Sequence, residues 1–196
     1  MLEYEHIETE RLLLRQWESG DAPVVQRELS RVEMARMLAI PFPYPDHAAA
    51  EWIATARRGR DFAIVLRETN EVVGGIGLIE YEQHRRAALV YWCAIDSWGR
   101  GYTTEAVRAV IAYGFRSLEL NKVHGECHGD NPASRRVLEK AGLYSRADVA
   151  SILFASTVSQ TSSCSVFFAT NGCVNTDPDL GQCSGMTLEP SANRRG

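Results

Sequence analysis

The sequence predicts an α/β (α+β) fold: a mixed sheet with an antiparallel front half, a strand-helix-strand crossover behind it, and helices on its flanks. Three observations predict it. Strand-like runs at 61–66 and 72–79 flank Thr69-Asn70-Glu71, a short hairpin turn. Between 103 and 120, Ala106, Val107, Val110, Ile111, Gly114 and Phe115 recur at helical spacing and give one apolar stripe. Strand-like runs at 87–95 and 121–128 bracket that helix, which is the order a parallel crossover requires.

The remaining elements follow in order. Leu12-Leu13-Leu14-Arg15-Gln16-Trp17 reads as a first strand, and Asp21-Ala22-Pro23 as a helix start with Pro where the missing N–H costs nothing. Val24, Val25, Leu29, Met34, Met37 and Leu38 then repeat at helical spacing, predicting one or two helices before the break Pro41-Phe42-Pro43-Tyr44-Pro45. Another helix is expected over 48–58. Asn131 opens the last one, with Pro132 in its first turn and Gly142 as its stop.

From Tyr144 onward Lys and Trp are absent, and Ser, Thr and Cys accumulate through 159–164. We therefore expect a domain over 1–143, a degenerate C-terminal β-hairpin within 144–170 with strands near 151–155 and 165–169, and a disordered tail over 171–196.

A chain of 196 residues is enough for one domain with a sizeable core. Its apolar fraction of 45%, charged fraction of 23% and net charge of -4 are ordinary for a globular protein. They give no reason to expect a nucleic-acid or membrane partner. Residues 1–15 carry Glu3, Glu5, Glu8 and Glu10 in place of the basic head and apolar run of a secretory signal. With Cys93 and Cys127 in apolar runs, where thiols pack as small hydrophobes, this points to a reducing, cytoplasmic setting.

The chemistry concentrates at two places. Trp98-Gly99-Arg100-Gly101-Tyr102-Thr103 joins a strand to the long helix. Glycine lets the backbone approach a ligand, and the unpaired N–H groups of a helix's first turn attract anions. A pyrophosphate suits that turn, with Arg100 beside it. An ordinary strand-to-helix turn capped by Thr103 would give the same letters. Asn131-Pro132-Ala133-Ser134 starts the last helix, where Asn131 as a cap and Ser134 as a solvated hydroxyl are the plain alternatives. His124, Glu126 and His128 alternate along one strand and share a face; alternation alone makes such sets, and no metal is assigned.

The first run resembles the acetyl-CoA pyrophosphate loop of the GNAT acetyltransferase superfamily, with Trp98 in place of the usual Gln or Arg. The second, read through Gly142-Leu143, resembles the Asn-x-x-Ser helix of its ribosomal-protein N-acetyltransferase (RimJ/RimL-like) branch. Glu8-Thr9-Glu10-Arg11-Leu12-Leu13-Leu14-Arg15, Gly74-Gly75-Ile76-Gly77-Leu78 and His84-Arg85-Arg86-Ala87 also look like that branch, so the resemblance spans about 9–143.

The resemblance implies the GNAT fold, with a mixed, mostly antiparallel twisted sheet. It also implies transfer of an acetyl group from acetyl-CoA to a primary amine of a protein N-terminus or small molecule, by a monomer or homodimer. It places Trp92, Cys93 and Ala94 along the pantetheine arm, with backbone N–H groups there to stabilise an oxyanion, and adds Asn131 to the same arm. Ser134 would protonate the leaving thiolate. Many relatives carry a Tyr acid where this chain has Leu138, and the branch often has Glu where this chain has Ala88. Glu80 is then the expected base, with Glu82 beside it. The alternative is a non-catalytic or truncated acyl-CoA-binding relative.

Overall fold

The computed structural model describes residues 6–38, 40–81, 84–129, 131–145 and 164–170. Its strands are β1 (His6–Glu8), β2 (Leu12–Arg15), β3 (Asp61–Leu66), β4 (Val72–Tyr81), β5 (Arg86–Cys93), β6 (Lys122–His128), β7 (Tyr144–Ser145) and β8 (Cys164–Thr170). The helices are α1 (Ala22–Leu29), α2 (Val32–Leu38), α3 (Ala48–Thr55), α4 (Tyr102–Arg116) and α5 (Pro132–Lys140). The strands form one sheet in the order β1-β2-β3-β4-β5-β6-β8-β7. Every described pairing is antiparallel except β5 with β6, which the α4 crossover joins in parallel.

Helices cover both faces. On one, Ala106, Val107, Val110 and Ile111 of α4 and Leu138 of α5 pack on Leu12, Leu14, Phe62, Ile76, Leu78 and Leu89, so the predicted stripe is the buried one. On the other, Val25, Leu29 and Met34 of α1 and α2 and Ala49 of α3 enclose Trp17 and Trp92. Val72 to Leu78 of the central β4 are buried throughout, which two covered faces dictate. Asp21 ties the first strand to the first helix: Arg15 donates to both carboxylate oxygens at 2.8 and 2.9 Å, and the Glu18 N–H to one of them at 2.9 Å. Burial alone would push the Asp21 carboxyl up, but these hydrogen bonds and the Arg15 charge outweigh it and hold it low.

The structure sharpens these expectations. The 24–38 periodicity, expected to give one or two helices, resolves into two, α1 and α2. The long helix stops at Arg116, because Glu119 takes a left-handed conformation that turns Leu120 into the core. Strand β1, His6-Ile7-Glu8, is too short for its polar-apolar-polar alternation to mark a strand, and its pairing with β2 reveals it. At the C-terminal end β8 runs antiparallel to β6 from Lys122↔Thr170 to His128↔Cys164. The first strand expected for the hairpin, at 151–155, and the tail at 171–196 lie outside the described residues, as does Glu82.

Candidate active site

The parallel ladder between β5 and β6 pairs only Arg86–Leu89 with Lys122–Gly125, whereas the strands run on to Cys93 and His128. Beyond the last pair they splay. A cavity of about 440 Å³ opens there, at the carboxyl ends of two parallel strands, where open α/β sheets commonly hold ligands.

Alternation along the strands gives the cleft two differently built sides. Leu89 and Tyr91 of β5, and Val123 and Cys127 of β6, face α4 and α5. Trp92 packs with Trp17 and Met34 on the opposite side. His124, Glu126 and His128 share that opposite side and line the cavity with Met34, Met37 and Leu38 of α2 and with Tyr81.

On the α4 and α5 side the chain presents a cradle for an anion. Gly101 caps α4 at φ 81°, a left-handed conformation that favours glycine. A Cβ at Gly99, also left-handed at φ 75°, would meet nothing within 4 Å, so the backbone there is open to a ligand. Among the described residues, the first helical N–H to reach a backbone carbonyl after this cap is that of Glu105, to the Gly101 carbonyl at 3.1 Å. The N–H groups of Tyr102, Thr103 and Thr104 are thus the orphan donors of a helix start.

Arg11, just before β2, braces this turn. It donates to the Glu105 carboxylate at 2.8 Å and to the Arg100 carbonyl at 3.0 Å, and its guanidinium lies 4.8 Å from the Tyr102 ring centre. Burial alone would raise the Glu105 carboxyl, but donors from Thr9 and Arg11 hold it low, so Glu105 stays ionised and spent on Arg11. Trp98, where a Gln or Arg was expected, donates its indole N–H to the Cys93 carbonyl at 2.8 Å and fixes the loop after β5.

Further along, the Asn131 carboxamide oxygen accepts the Ser134 N–H at 3.0 Å. Asn131 is therefore a helix cap that also lines the cavity, its side-chain NH₂ without a partner among the described residues. Ser134 meets a residue that motif reasoning missed: the Tyr91 hydroxyl lies 2.8 Å from the Ser134 hydroxyl and donates to the Ser134 carbonyl at 3.3 Å. Burial pushes the Tyr91 pKa up to about 12, so it remains a neutral donor. Its position two residues before Cys93, on the same strand face, was the available signal.

Trp92, Cys93, Trp98, Gly99, Thr103, Asn131 and Ser134 all line the cavity, and Arg100, Gly101 and Tyr102 continue the turn beside it. Two expected residues stand apart. Ala94 is buried, and its N–H is spent on the Val73 carbonyl at 2.8 Å, so it has no donor for an oxyanion. Glu80 pairs with Ala87 across the ladder and so shares the face that α4 covers; it does not line the cavity and is ion-paired with Arg60. Its charge is committed away from the chemistry. Leu138, where a Tyr acid was sought, is fully buried, and its side chain occupies the space a Cβ on Gly125 would need. No group of three or more His, Cys, Asp or Glu among the described residues is arranged to hold a metal ion.

The acetyltransferase (GNAT) domain profile matches residues 11–144. The uncharacterized N-acetyltransferase YoaA of Bacillus subtilis is 33% identical over 143 residues, which cover 69% of this chain and 81% of YoaA. Among solved structures, spermidine N-acetyltransferase from Vibrio cholerae, in complex with CoA and spermine, superposes with a TM-score of 0.66 at 18% identity, covering 85% of this chain and 99% of that one. RimL, a ribosomal L7/L12 α-N-protein acetyltransferase in complex with coenzyme A, gives 0.66 at 15% identity, covering 85% and 98%. By the extent of the domain match and its identity to YoaA, this chain belongs to the GNAT acetyltransferase family.

Proposed function

We propose that the chain moves an acetyl group from acetyl-CoA to a singly charged primary amine with an apolar body, such as a protein N-terminus or a small aromatic or aliphatic amine. The observation that carries this reading is the continuous cleft itself. It leads from the anion cradle at Gly99 to Thr103, past the Tyr91 and Ser134 hydroxyls, to the side lined by α2.

The orphan N–H groups of Tyr102, Thr103 and Thr104, with Arg100 alongside, would hold the pyrophosphate. Trp92, Cys93 and the Asn131 NH₂ would border the pantetheine arm. Ser134 would hand its proton to the departing thiolate while accepting a hydrogen bond from Tyr91, which its high pKa keeps protonated. Attack is direct. Burial pushes the Cys93 thiol up, so the thiolate that an acetyl-cysteine route would need is scarce.

The acceptor class follows from the lining of the opposite side. Met34, Met37 and Leu38 give an apolar wall, and Glu126 is the one carboxylate among the described lining residues. One carboxylate suits one ammonium, whereas a polyamine with repeated charges calls for several. The spermidine enzyme and RimL act on a polyamine and a protein α-amine respectively, and this wall favours the second kind. No described helix is long and apolar enough to cross a membrane, and the thiol of Cys93 fits a reducing cytoplasm.

The test is calorimetric titration with acetyl-CoA of wild type, Gly101→Glu and Gly142→Glu. Both variants place an L-residue at a left-handed position, but only the first puts a carboxylate in the cradle. Gly101→Glu should weaken binding by about 10-fold or more, since like charges at this exposed turn repel by roughly 1.4 kcal/mol or more. Gly142→Glu should bind like wild type. A folded wild type that does not bind acetyl-CoA would overturn the reading.

A further inference from the structure

With Glu80 turned away and Ala88 lacking a side-chain proton acceptor, the acceptor side of the cleft needs another group to take the ammonium proton, because only the neutral amine has a lone pair to attack with. We propose that His124 is this general base. The assignment rests on the acetyl-transfer reading above.

Position supports it first. His124 pairs directly with Ala88 in the parallel ladder, one step before Leu89↔Gly125, the last pair before β5 and β6 splay. It lines the same cavity as Cys93 and Ser134, from the α2 side. Its ring is oriented: it stacks on Tyr81 with centroids 5.8 Å apart, and the backbone of Ala87 hydrogen-bonds it. One imidazole nitrogen held in this way leaves the other to accept a proton.

The charges around it also fit. Burial lowers the His124 pKa; Glu126 raises it, and Lys122 on its own strand and Arg86 on β5 lower it further, for a net fall below the ordinary value. Tyr81 of β4 and the apolar Met34, Met37 and Leu38 of α2 complete its cavity surroundings, with His128 further along β6. His124 is therefore neutral at pH 7, the state a base must start in. Glu126, two residues along the same face and exposed, is placed to attract the incoming ammonium.

The step balances. His124 takes one proton from the ammonium, and the amine nitrogen forms its bond to the thioester carbonyl carbon. The C–S bond breaks with its electron pair on sulfur, and the second nitrogen proton replaces the one Ser134 gives to the thiolate. The products are the amide, CoA thiol and one proton, which His124 releases to solvent.

The experiment compares wild type with His124→Gln and His124→Ala. Three primary amines serve as acceptors: a peptide with a free N-terminal alanine, spermidine and benzylamine. Acetyl-CoA binding by calorimetry should stay within about twofold in both variants, which separates this role from the cofactor site. For the best acceptor, kcat/KM should fall about 100-fold, the usual contribution of a positioned base. Its acidic limb, set in wild type by a midpoint below 6.5, should vanish, leaving a rate that follows the free amine fraction. Added imidazole should restore turnover to His124→Ala and leave wild type unchanged.

The His124 ring C2–H signal of free wild type, followed by NMR, should titrate at that same low midpoint. An unchanged acidic limb in His124→Gln, or a ring midpoint at or above 7, would overturn the assignment. So would acetyl-CoA binding by wild type without turnover of any of the three amines. Failure of wild type to bind acetyl-CoA at all would overturn the acetyl-transfer reading, and this role with it.

Discussion

The two sides of the cleft are built by different means. The side against α4 and α5 is made of backbone and short polar groups: a left-handed glycine at a helix start, a cap at Asn131, and one hydroxyl pair. The side against α2 is made of side chains brought from separate segments, namely Met34 and Met37 from α2, Tyr81 from the end of β4, and His124 and Glu126 from β6. A common co-substrate can be held by features local to one turn of chain. An acceptor has to be met by residues that only the finished sheet brings together.

The largest expected effect breaks the first side mechanically. Leu138 is fully buried beneath α5 and packs where Gly125 leaves room on β6. Leu138→Ala should lose about 2–5 kcal/mol of stability in denaturant unfolding, the cost of a core cavity. Because α5 carries both Asn131 and Ser134, the variant should also weaken acetyl-CoA binding. Loss of stability with unchanged binding would mean that α5 is not part of that wall.

A smaller effect probes the hydroxyl pair. Tyr91→Phe keeps the ring in the core but removes the donor 2.8 Å from Ser134. In a single-turnover assay kcat should fall about tenfold, the worth of one hydrogen bond of about 1.4 kcal/mol made as the thiolate departs. Binding of acetyl-CoA should hardly change. An equal fall in kcat and in affinity would make Tyr91 a packing residue and leave Ser134 unaided.

The same division explains what the sequence disclosed. Leu12 to Arg15 and Asp61 to Leu66 were legible as continuous apolar runs, which a sheet covered on both faces demands, and the α4 stripe because one-sided burial writes a helical period into the letters. The anion turn and Asn131 were legible because their geometry is local. Glu80 misled because strand parity, not proximity in sequence to the cleft, decides its face, and its ion pair with Arg60 is long-range. Ala94 misled because the fate of a backbone N–H depends on Val73, on a different strand. Tyr91 and His124 were passed over since their partners, Ser134 on α5 and Tyr81 on β4, lie far away along the chain.

The smallest effect tests whether the α2 side serves the acceptor alone. Met37 lines the cavity yet remains 39% exposed, so its flexible thioether is available to an incoming apolar body and contributes little to the core. Met37→Ala removes a partial contact worth about 1 kcal/mol. Steady-state kinetics should therefore show KM for the amine rising about fivefold, with kcat, stability and the acetyl-CoA dissociation constant nearly unchanged. A peptide carrying a bulky apolar second residue should feel the loss more than benzylamine, because only the longer acceptor extends along α2. If Met37→Ala instead weakened acetyl-CoA, the cofactor would reach across the splayed strands, and the two sides would act as one surface.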